Sequence, residues 1–398
     1  MSKAKKLVVL FNTLVKLKTY DFPALLKEAD FDFISVVENK EIEGVKRDFS
    51  SIFKQVLPYE TAKFELANII KNYKLEDVRF VCISEDYLLP ASEFRSYFNV
   101  EGINEKTANL FRNKMLMKAA LANTSVSVPK FAELSEFSTF EKAKERLGLP
   151  FVIKPKDAFG SKDVSIIKTE EDFEIAFSEI SNKEEFECES FISGKLYHVD
   201  SIYKNGVPIF QVCNEYSCPN AEFRDGKALV SIPLPQSHEI AKKASVLSQN
   251  VIEAFDYNTG ATHLEFFVKE DGEFVFLEIA GRTPGAVIVP MYNKQFEINL
   301  PNIDLLNHFD LLKHQDFKSK MHCFSGIFPI FKGIVSALNA PKINGTFDLK
   351  FLVKEGNILD DCKSLRDISA TILAENESFE KAYQDFQTIT TFKAIEVS

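Results

Sequence analysis

The chain has 398 residues, with 58 acidic against 48 basic side chains and a formal net charge of −10. Binding nucleic acid or an anionic membrane through bulk charge needs the opposite balance, because Lys and Arg gain affinity by displacing counterions from phosphates, so neither partner is expected. Hydrophobic residues at 45% and charged residues at 27% make an ordinary globular mixture that excludes a disordered or fibrous chain. At roughly 100 to 200 residues per domain, two or three domains are expected.

The basic start MSKAKK leads into LVVLF (Leu7–Phe11), which Asn12 and Thr13 interrupt too soon for the core of a signal peptide. No apolar run approaches the roughly 18 to 20 residues needed to cross a bilayer. The candidates GAVIVP, around Val287, and CFSGIFPIF, from Cys323, are short and broken by Gly or Pro. Cys82, Cys188, Cys213, Cys218, Cys323 and Cys362 are scattered without a CxxC pair, which argues against a zinc ribbon or a disulfide framework and makes a reducing, cytoplasmic setting the expectation.

In chain order, LVVLF, FDFISVV from Phe31 and VRFVCIS from Val78 read as buried strands, with PALLKEA and YETAKFELANIIKNY at helical spacing between them. This βαβ alternation predicts a parallel sheet. A helical segment follows from Asn104 to Ser125, with Leu110, Met117 and Leu121 on one stripe, and SVP at Ser127–Pro129 ends it. The stretch from Phe131 to about Phe191 mixes strands and helices in a compact α+β unit. More strands and a helix run to about Leu300, and the tail from Phe324 holds strands and the helix SFEKAYQDFQTI.

The most informative passage is Ala261–Arg282, ATHLEFFVKEDGEFVFLEIAGR. Two Phe- and Val-rich runs flank Asp271-Gly272, a signal for a hairpin with a two-residue turn. That register places Glu265 opposite Glu278 and Phe267 opposite Phe276. Facing carboxylates in an antiparallel pair have Cβ atoms about 4.5–5.5 Å apart and repel, so they cost stability unless something cationic sits between them. A hard divalent cation such as Mg²⁺ suits two such carboxylates; a solvated strand pair that tolerates its charges is the alternative. Arg282 continues the two-residue period from Glu278. It is placed either to steady a phosphoryl group or acyl oxyanion or to pair with one of the glutamates.

In LPFVIKPKDAFGSKDVSII, an apolar run ends at Lys154, and a loop with Gly160 and Ser161 leads to a second apolar run. Such a loop can lay backbone N–H groups against phosphate oxygens, although it lacks the spacing of a Walker loop and also occurs in ordinary hairpins. Arg112 and Lys114 lie on the preceding helical segment.

Taken in order, RNKMLMKAAL with SVP, PFVIKP with GSKDV, ECESFISGKLYHVD, and the LEFF and LEIAGR pair resemble the ATP-grasp superfamily of carboxylate-amine ligases, over about Asn104 to Pro290. The tail DISATILAENESFEKAYQDF resembles the biotin-carboxylase and L-amino-acid-ligase branches. The resemblance implies a multidomain α/β and α+β architecture: an N-terminal βαβ domain at 1–103, an ATP-grasp domain at 104–310 with a lid at about 131–191, and a small C-terminal α+β subdomain at 311–398. It implies ATP phosphate contacts from Lys114 and Lys154, with Gly160 and Ser161 at the lid tip. It further implies an adenine hinge at Glu189, Phe191 and Ile192, Mg²⁺ (or Mn²⁺) on Glu265 and Glu278, and Arg282 together with Lys154 as the catalytic cations.

Four positions depart from the superfamily pattern. Ala280 stands where many members have a metal-binding Asn, and Leu196 where many have a ribose-binding Glu, which leaves His198 and Asp200 as nearby ribose candidates. Lys162 and Asp163 replace a more glycine-rich loop. The implied activity is ATP-dependent ligation of a small carboxylate to an amine, both expected to be amino acids, through an acyl phosphate. A bicarbonate-activating enzyme like biotin carboxylase and a non-catalytic ATP-binding regulator are the alternatives. Asn214–Arg224 and Val287–Asn293 are candidates for the substrate pocket, and a homodimer is left open.

Overall fold

The computed structural model describes residues 5–158, 160–285, 287–313 and 317–398; Met1 to Ala4 of the basic start lie outside them. Lys6–Phe11 (β1), Phe31–Val37 (β2), Phe53–Pro58 (β3) and Val78–Val81 (β4) form a parallel sheet of order β3-β2-β1-β4. LVVLF is apolar throughout because both faces of β1 are covered. Val8 and Leu10 pack with Phe22 and Leu25 on one side, and Leu7, Val9 and Phe11 with Leu66 and Phe94 on the other. Strands buried on both faces are the rule in parallel sheets. The sequence reading missed β3, whose FKQVLP run buries only Phe53 and Leu57 and lies at the sheet edge.

The helical segment expected from Asn104 to Ser125 is broken. Glu105–Leu110 and Lys114–Ala120 are separate helices. Asn113 caps the second, its side chain accepting from the N–H groups of Met115 and Leu116 at 2.9 and 3.2 Å. A side chain that supplies orphan N–H groups with an acceptor starts a helix more readily than it continues one. The break turns Lys114 inward at the first helical position, where it is buried.

Phe131–Glu133 (β5), Phe151–Pro155 (β6), Ser165–Ile167 (β7) and Phe186–Ser190 (β8) make an antiparallel sheet of order β5-β8-β6-β7. The helices Phe140–Leu147 and Glu170–Glu179 pack on it around Phe140, Phe151 and Phe173, a core of its own.

The remaining strands are Lys195–Lys204 (β9), Val207–Tyr216 (β10), Leu229–Pro233 (β11), Gly260–Val268 (β12), Phe274–Ala280 (β13), His322–Pro329 (β14), Gly333–Leu338 (β15), Thr346–Phe351 (β16), Ile358–Leu359 (β17), Ile368–Asn376 (β18) and Ile395–Val397 (β19). Eight of them form one sheet, β13-β12-β9-β10-β11-β14-β18-β16, so strands from the C-terminal part of the chain extend the sheet that carries the hairpin; β17-β15-β19 form a small separate sheet. Alternation sorts the two faces of the long sheet. Tyr197, Val199, Leu264 and Phe266 meet the helix Glu239–Ala254 on one side, and Leu196, Ile202 and Ala261 meet the helix Ile288–Phe296 on the other. Among the described residues no helix is long and apolar enough to cross a membrane, and all six cysteines are free.

Candidate active site

The hairpin turn differs from the expectation, yet the carboxylates meet. Lys269 N–H donates to Glu273 O and Gly272 N–H to Lys269 O, both at 2.9 Å. The loop is therefore three residues, Glu270–Gly272, with Gly272 at φ +84°, the left-handed position such hairpins give to glycine. Pairing next to the turn slips by one residue, so Phe266 faces Phe276 and Phe267 faces Val275, in place of the expected Phe267–Phe276 pair. A bulge at Leu277 then cancels the slip and restores Glu265 opposite Glu278. Bulges re-aim side chains in this way beside functional sites.

One cavity between the two sheets is lined by Lys114, Lys154, Gly160, Ser161, Glu189, Phe191, Ile192, Glu265 and Glu278, together with Leu196, Asn220 and Glu222. It gathers every residue expected to contact phosphate, adenine or metal, but not Arg282. Lys114 Nζ lies 3.4 Å from Glu278 Oε2 and donates to Ala158 O at the base of the glycine loop. Gly160 and Ser161 both have positive φ, +69° and +56°. That is uncommon for a serine and holds only where the surroundings enforce it. The loop is pinned from outside: Leu365 N–H donates to Gly160 O (3.2 Å), Arg224 Nη2 to Val164 O (2.7 Å), and Arg112 Nη2 to Asp157 O (2.6 Å).

Lys154 is held by Glu189, which also accepts from Lys118 at 2.6 Å; Lys118 donates in turn to Glu187 at 2.7 Å. Lys118 and Glu187 are wholly buried, and Lys154 and Glu189 nearly so. Burial opposes ionisation of Glu189, but Lys118 and Lys154 hold its carboxyl down at about 2. Burial likewise works against the Lys154 charge, and Glu189, Glu187 and Glu278 raise its pKa in spite of it. Lys118 and Glu187 escaped the sequence reading. The signal was their spacing: Lys118 is four residues from Lys114 on a helix, and Glu187 is two from Glu189 on a strand. In the segment expected to be the hinge, Ser190 N–H donates to Lys130 O at 2.8 Å and Phe191 N–H to Pro150 O at 3.2 Å.

Arg282 pairs with neither glutamate of the hairpin. Its Nε donates to Glu85 Oε2 at 2.8 Å, and Arg112 Nη1 lies 3.0 Å from Glu85 Oε1. Glu85 follows β4 in the N-terminal sheet, a partner that no local pattern in the sequence could supply.

Residues 147–290 match the ATP-grasp domain family. The chain carries an ATP-grasp domain. It is 26% identical over 302 residues to an L-arginine-specific L-amino acid ligase of Bacillus subtilis, with 71% of each chain covered. Against a D-alanine–D-alanine ligase of Dechloromonas aromatica it is 26% identical over 203 residues, 48% of this chain and 64% of that protein. Among solved structures, L-amino acid ligase from Bacillus licheniformis matches over 100% of both chains with a TM-score of 0.73 at 17% identity. The ADP complex of purK, N5-carboxyaminoimidazole ribonucleotide synthetase, matches over 98% and 97% of the two chains with a TM-score of 0.67 at 15% identity. Both structures share the ATP-grasp fold with this chain.

Two departures from the ATP-grasp pattern take a definite form. Ala280 stands opposite His263. The His263 ring bridges Asp200 (2.6 Å) and Glu265 (3.3 Å). Burial disfavours its charge, but Asp200 and Glu265 outweigh burial and lift its pKa to about 9. His198 and Asp200 do not line the cavity. Both are wholly buried, with His198 on Ser231 at 2.8 Å and Asp200 accepting from His263 and Tyr292. They are thus unavailable to a ribose, and Glu222 and Asn220 are the polar side chains that face the cavity opposite Leu196.

The residues present fit a divalent cation. Glu265 and Glu278 face one another on adjacent strands, and Glu265 is oriented by Asn220 Nδ2, 3.0 Å from both of its oxygens. Glu278 keeps about a third of its side chain exposed. Hard carboxylate oxygens with one ligand open to the cavity are the donor set Mg²⁺ takes beside a polyphosphate.

Proposed function

We propose that the protein is an ATP-dependent, ADP-forming ligase that joins a small carboxylate to an amine, with amino acids as the substrate class. The observation that carries this reading is the Glu265–Glu278 pair, set in register by a compensating bulge and facing Lys114, Lys154 and the Gly160–Ser161 loop across one cavity. Two cations, two metal-suited carboxylates and a loop of left-handed residues in one cleft match the needs of a nucleoside triphosphate.

In this reading the substrate carboxylate oxygen attacks the γ-phosphorus of ATP, the bond to the β–γ bridging oxygen breaks, and ADP leaves with the electron pair. The amine nitrogen then bonds to the acyl carbon of the acyl phosphate, the C–O bond to phosphate breaks, and phosphate departs with the proton the amine gives up. Such transfers depend on positioning and charge neutralisation more than on covalent help. Lys154, fixed by Glu189, and Lys114 neutralise phosphate oxygens, and Arg282 is the cation assigned to the acyl oxyanion. Mg²⁺ held by Glu265 and Glu278 would supply further charge neutralisation at the phosphates. The strand and hinge Glu189–Ile192 receive the base. The loop that carries Gly160 and Ser161 covers the phosphates and keeps water from the acyl phosphate.

The test is ADP release from MgATP in pairwise mixtures of amino acids, with mass spectrometry for a new amide. Release that requires an amino acid pair and yields the mass of a dipeptide is the expected result. Stimulation by bicarbonate with biotin, and not by amines, would transfer the reading to carboxylation. Tight ATP binding without ADP formation across the panel would make the protein a regulator.

A further inference from the structure

His263 stands two residues before Glu265 on β12, so alternation puts both side chains on one face of the sheet. Its ring meets a carboxylate at either end: Nδ1 lies 2.6 Å from Asp200 Oδ1, and Nε2 lies 3.3 Å from Glu265 Oε1. Carboxylates accept and do not donate, so each ring nitrogen is the donor. Asp200 is itself held. It is the register partner of His263 on β9, it accepts from Tyr292 Oη, and Tyr292 Oη accepts in turn from Asn214 Nδ2 at 2.6 Å. Asp200, Tyr292 and Asn214 are wholly buried, so the anchor beneath the His263 ring cannot turn towards solvent.

The two oxygens of Glu265 are engaged unequally. Asn220 Nδ2 is shared between them, 3.0 Å from each, whereas His263 adds a donor to Oε1 alone. Oε1 is therefore the more occupied oxygen, and Oε2 is the one left to face a cation. On the neighbouring strand, Ala280 is the register partner of His263 and carries no oxygen to ligate a metal, so β13 offers a hard cation the side chain of Glu278 alone. The aim of Glu265 then decides whether the cation gains a second carboxylate.

We propose that His263 is a positioning residue for the divalent cation: anchored on Asp200, it holds Glu265 Oε1 and presents Oε2 to the metal. The proposal rests on the reading of Glu265 and Glu278 as the metal-suited pair. A glutamate free to rotate gives up side-chain entropy when it ligates, and one already fixed in the ligating orientation does not. Partners that orient a ligating carboxylate in this way account for about 10- to 100-fold in metal affinity.

The test is Mn²⁺ titration of the ADP complex of the full chain, formed with protein in excess of nucleotide, with free Mn²⁺ read by electron paramagnetic resonance. Two variants separate the ends of the ring. The amide of His263→Asn falls near the position of Nδ1, so it keeps the bond to Asp200 and does not reach Glu265. The amide of His263→Gln falls near the position of Nε2 and still meets Glu265. His263→Asn should bind Mn²⁺ about 10- to 100-fold more weakly than the unaltered protein, and His263→Gln should recover most of that loss. ADP without metal should bind all three proteins alike, which separates a misaimed ligand from a misfolded site. Equal Mn²⁺ affinity in all three proteins would leave the metal site standing and overturn the role of His263. Equal loss in the two variants would overturn it too, since the ring would then fill space or ligate the ion itself. No Mn²⁺ binding by the unaltered ADP complex would remove the Glu265–Glu278 metal site and the proposal with it. The readout needs no turnover: the expected Mn²⁺ pattern without ADP release from any amino acid pair would sustain the positioning role and sink the ligase reading.

Discussion

One group of ionised side chains borders the cavity through Lys154 and Glu189 and another gathers around Glu85 and Arg282, and they are built in opposite ways. On the lid side, Lys118 and Lys154 face Glu187 and Glu189, two cations against two carboxylates, all at most 5% exposed. On the N-terminal side, Lys16, Arg112 and Arg282 share Glu85. A balanced, buried network fixes one geometry, here the direction in which Lys154 meets the cavity. The second group carries more positive charge than its one carboxylate neutralises. The difference separates a charge-balanced framework from a group that is not balanced.

The comparison breaks most visibly at Lys118. Replacing it with Met leaves two buried carboxylates to one lysine, and removing one partner of a buried ion network costs about 3–5 kcal/mol. Urea denaturation of Lys118→Met, followed by far-UV circular dichroism, should show a loss of that size, and a loss below about 1 kcal/mol would mean that the lid cluster is not held by charge balance.

A third buried charge, outside both groups, sets the next largest effect. Asp304 lies on the helix Leu300–Asn307, and its Oδ1 has no hydrogen-bond partner. Burial pushes its pKa from 3.8 up to about 7. The folded state therefore binds a proton that the unfolded state has already released between those values, and stability falls as pH rises through that window. Above it the deficit is at most about 4 kcal/mol. Asp304→Asn should raise the Tm clearly at pH 8 and leave it nearly unchanged at pH 4; an equal shift at both would show that the carboxylate carries no such penalty.

The lid-side group was partly legible in the sequence and the N-terminal one was not. Lys154, Glu189, Glu265 and Glu278 sit on strands, where alternation within a few residues decides which side chains share a face. The hairpin register came out right at Glu265 through two unforeseen features, a three-residue turn and a bulge, that cancel. Phe267 paired differently because it lies between them. Parallel β1, β2 and β4 were readable from uninterrupted apolar runs, whereas β3, with one face half open, was not. Glu85 meets Arg282 only through the packing of the N-terminal sheet on the hairpin, about 200 residues away in sequence, a distance that no local spacing encodes.

At the metal-suited pair the prediction concerns rate. Glu278→Gln keeps the shape and hydrogen-bonding reach of the side chain and removes one charge from the pair facing the phosphates. ADP release should fall by about 100-fold or more, the scale seen when charge stabilisation is removed from a transferring group, with the urea midpoint little changed, since Glu278 is partly exposed. Full turnover in Glu278→Gln would remove the metal assignment.

The smallest expected effect tests the unbalanced side of the comparison directly. Lys16 is half-buried, has no hydrogen-bond or ion-pair partner among the described residues, and feels repulsion from Arg282 beside attraction from Glu85, so its charge contributes little to the folded state that a methionine of similar length would lose. Lys16→Met should leave unfolding within about 1 kcal/mol of the unaltered protein, or stabilise it slightly by relieving the repulsion, as replacing unfavourable buried charge with apolar surface often does. Measured beside Lys118→Met under the same conditions, the two lysines should differ by several kcal/mol. A comparable loss at Lys16 would show that its ammonium holds the two domains together, and the N-terminal group would then be framework as well.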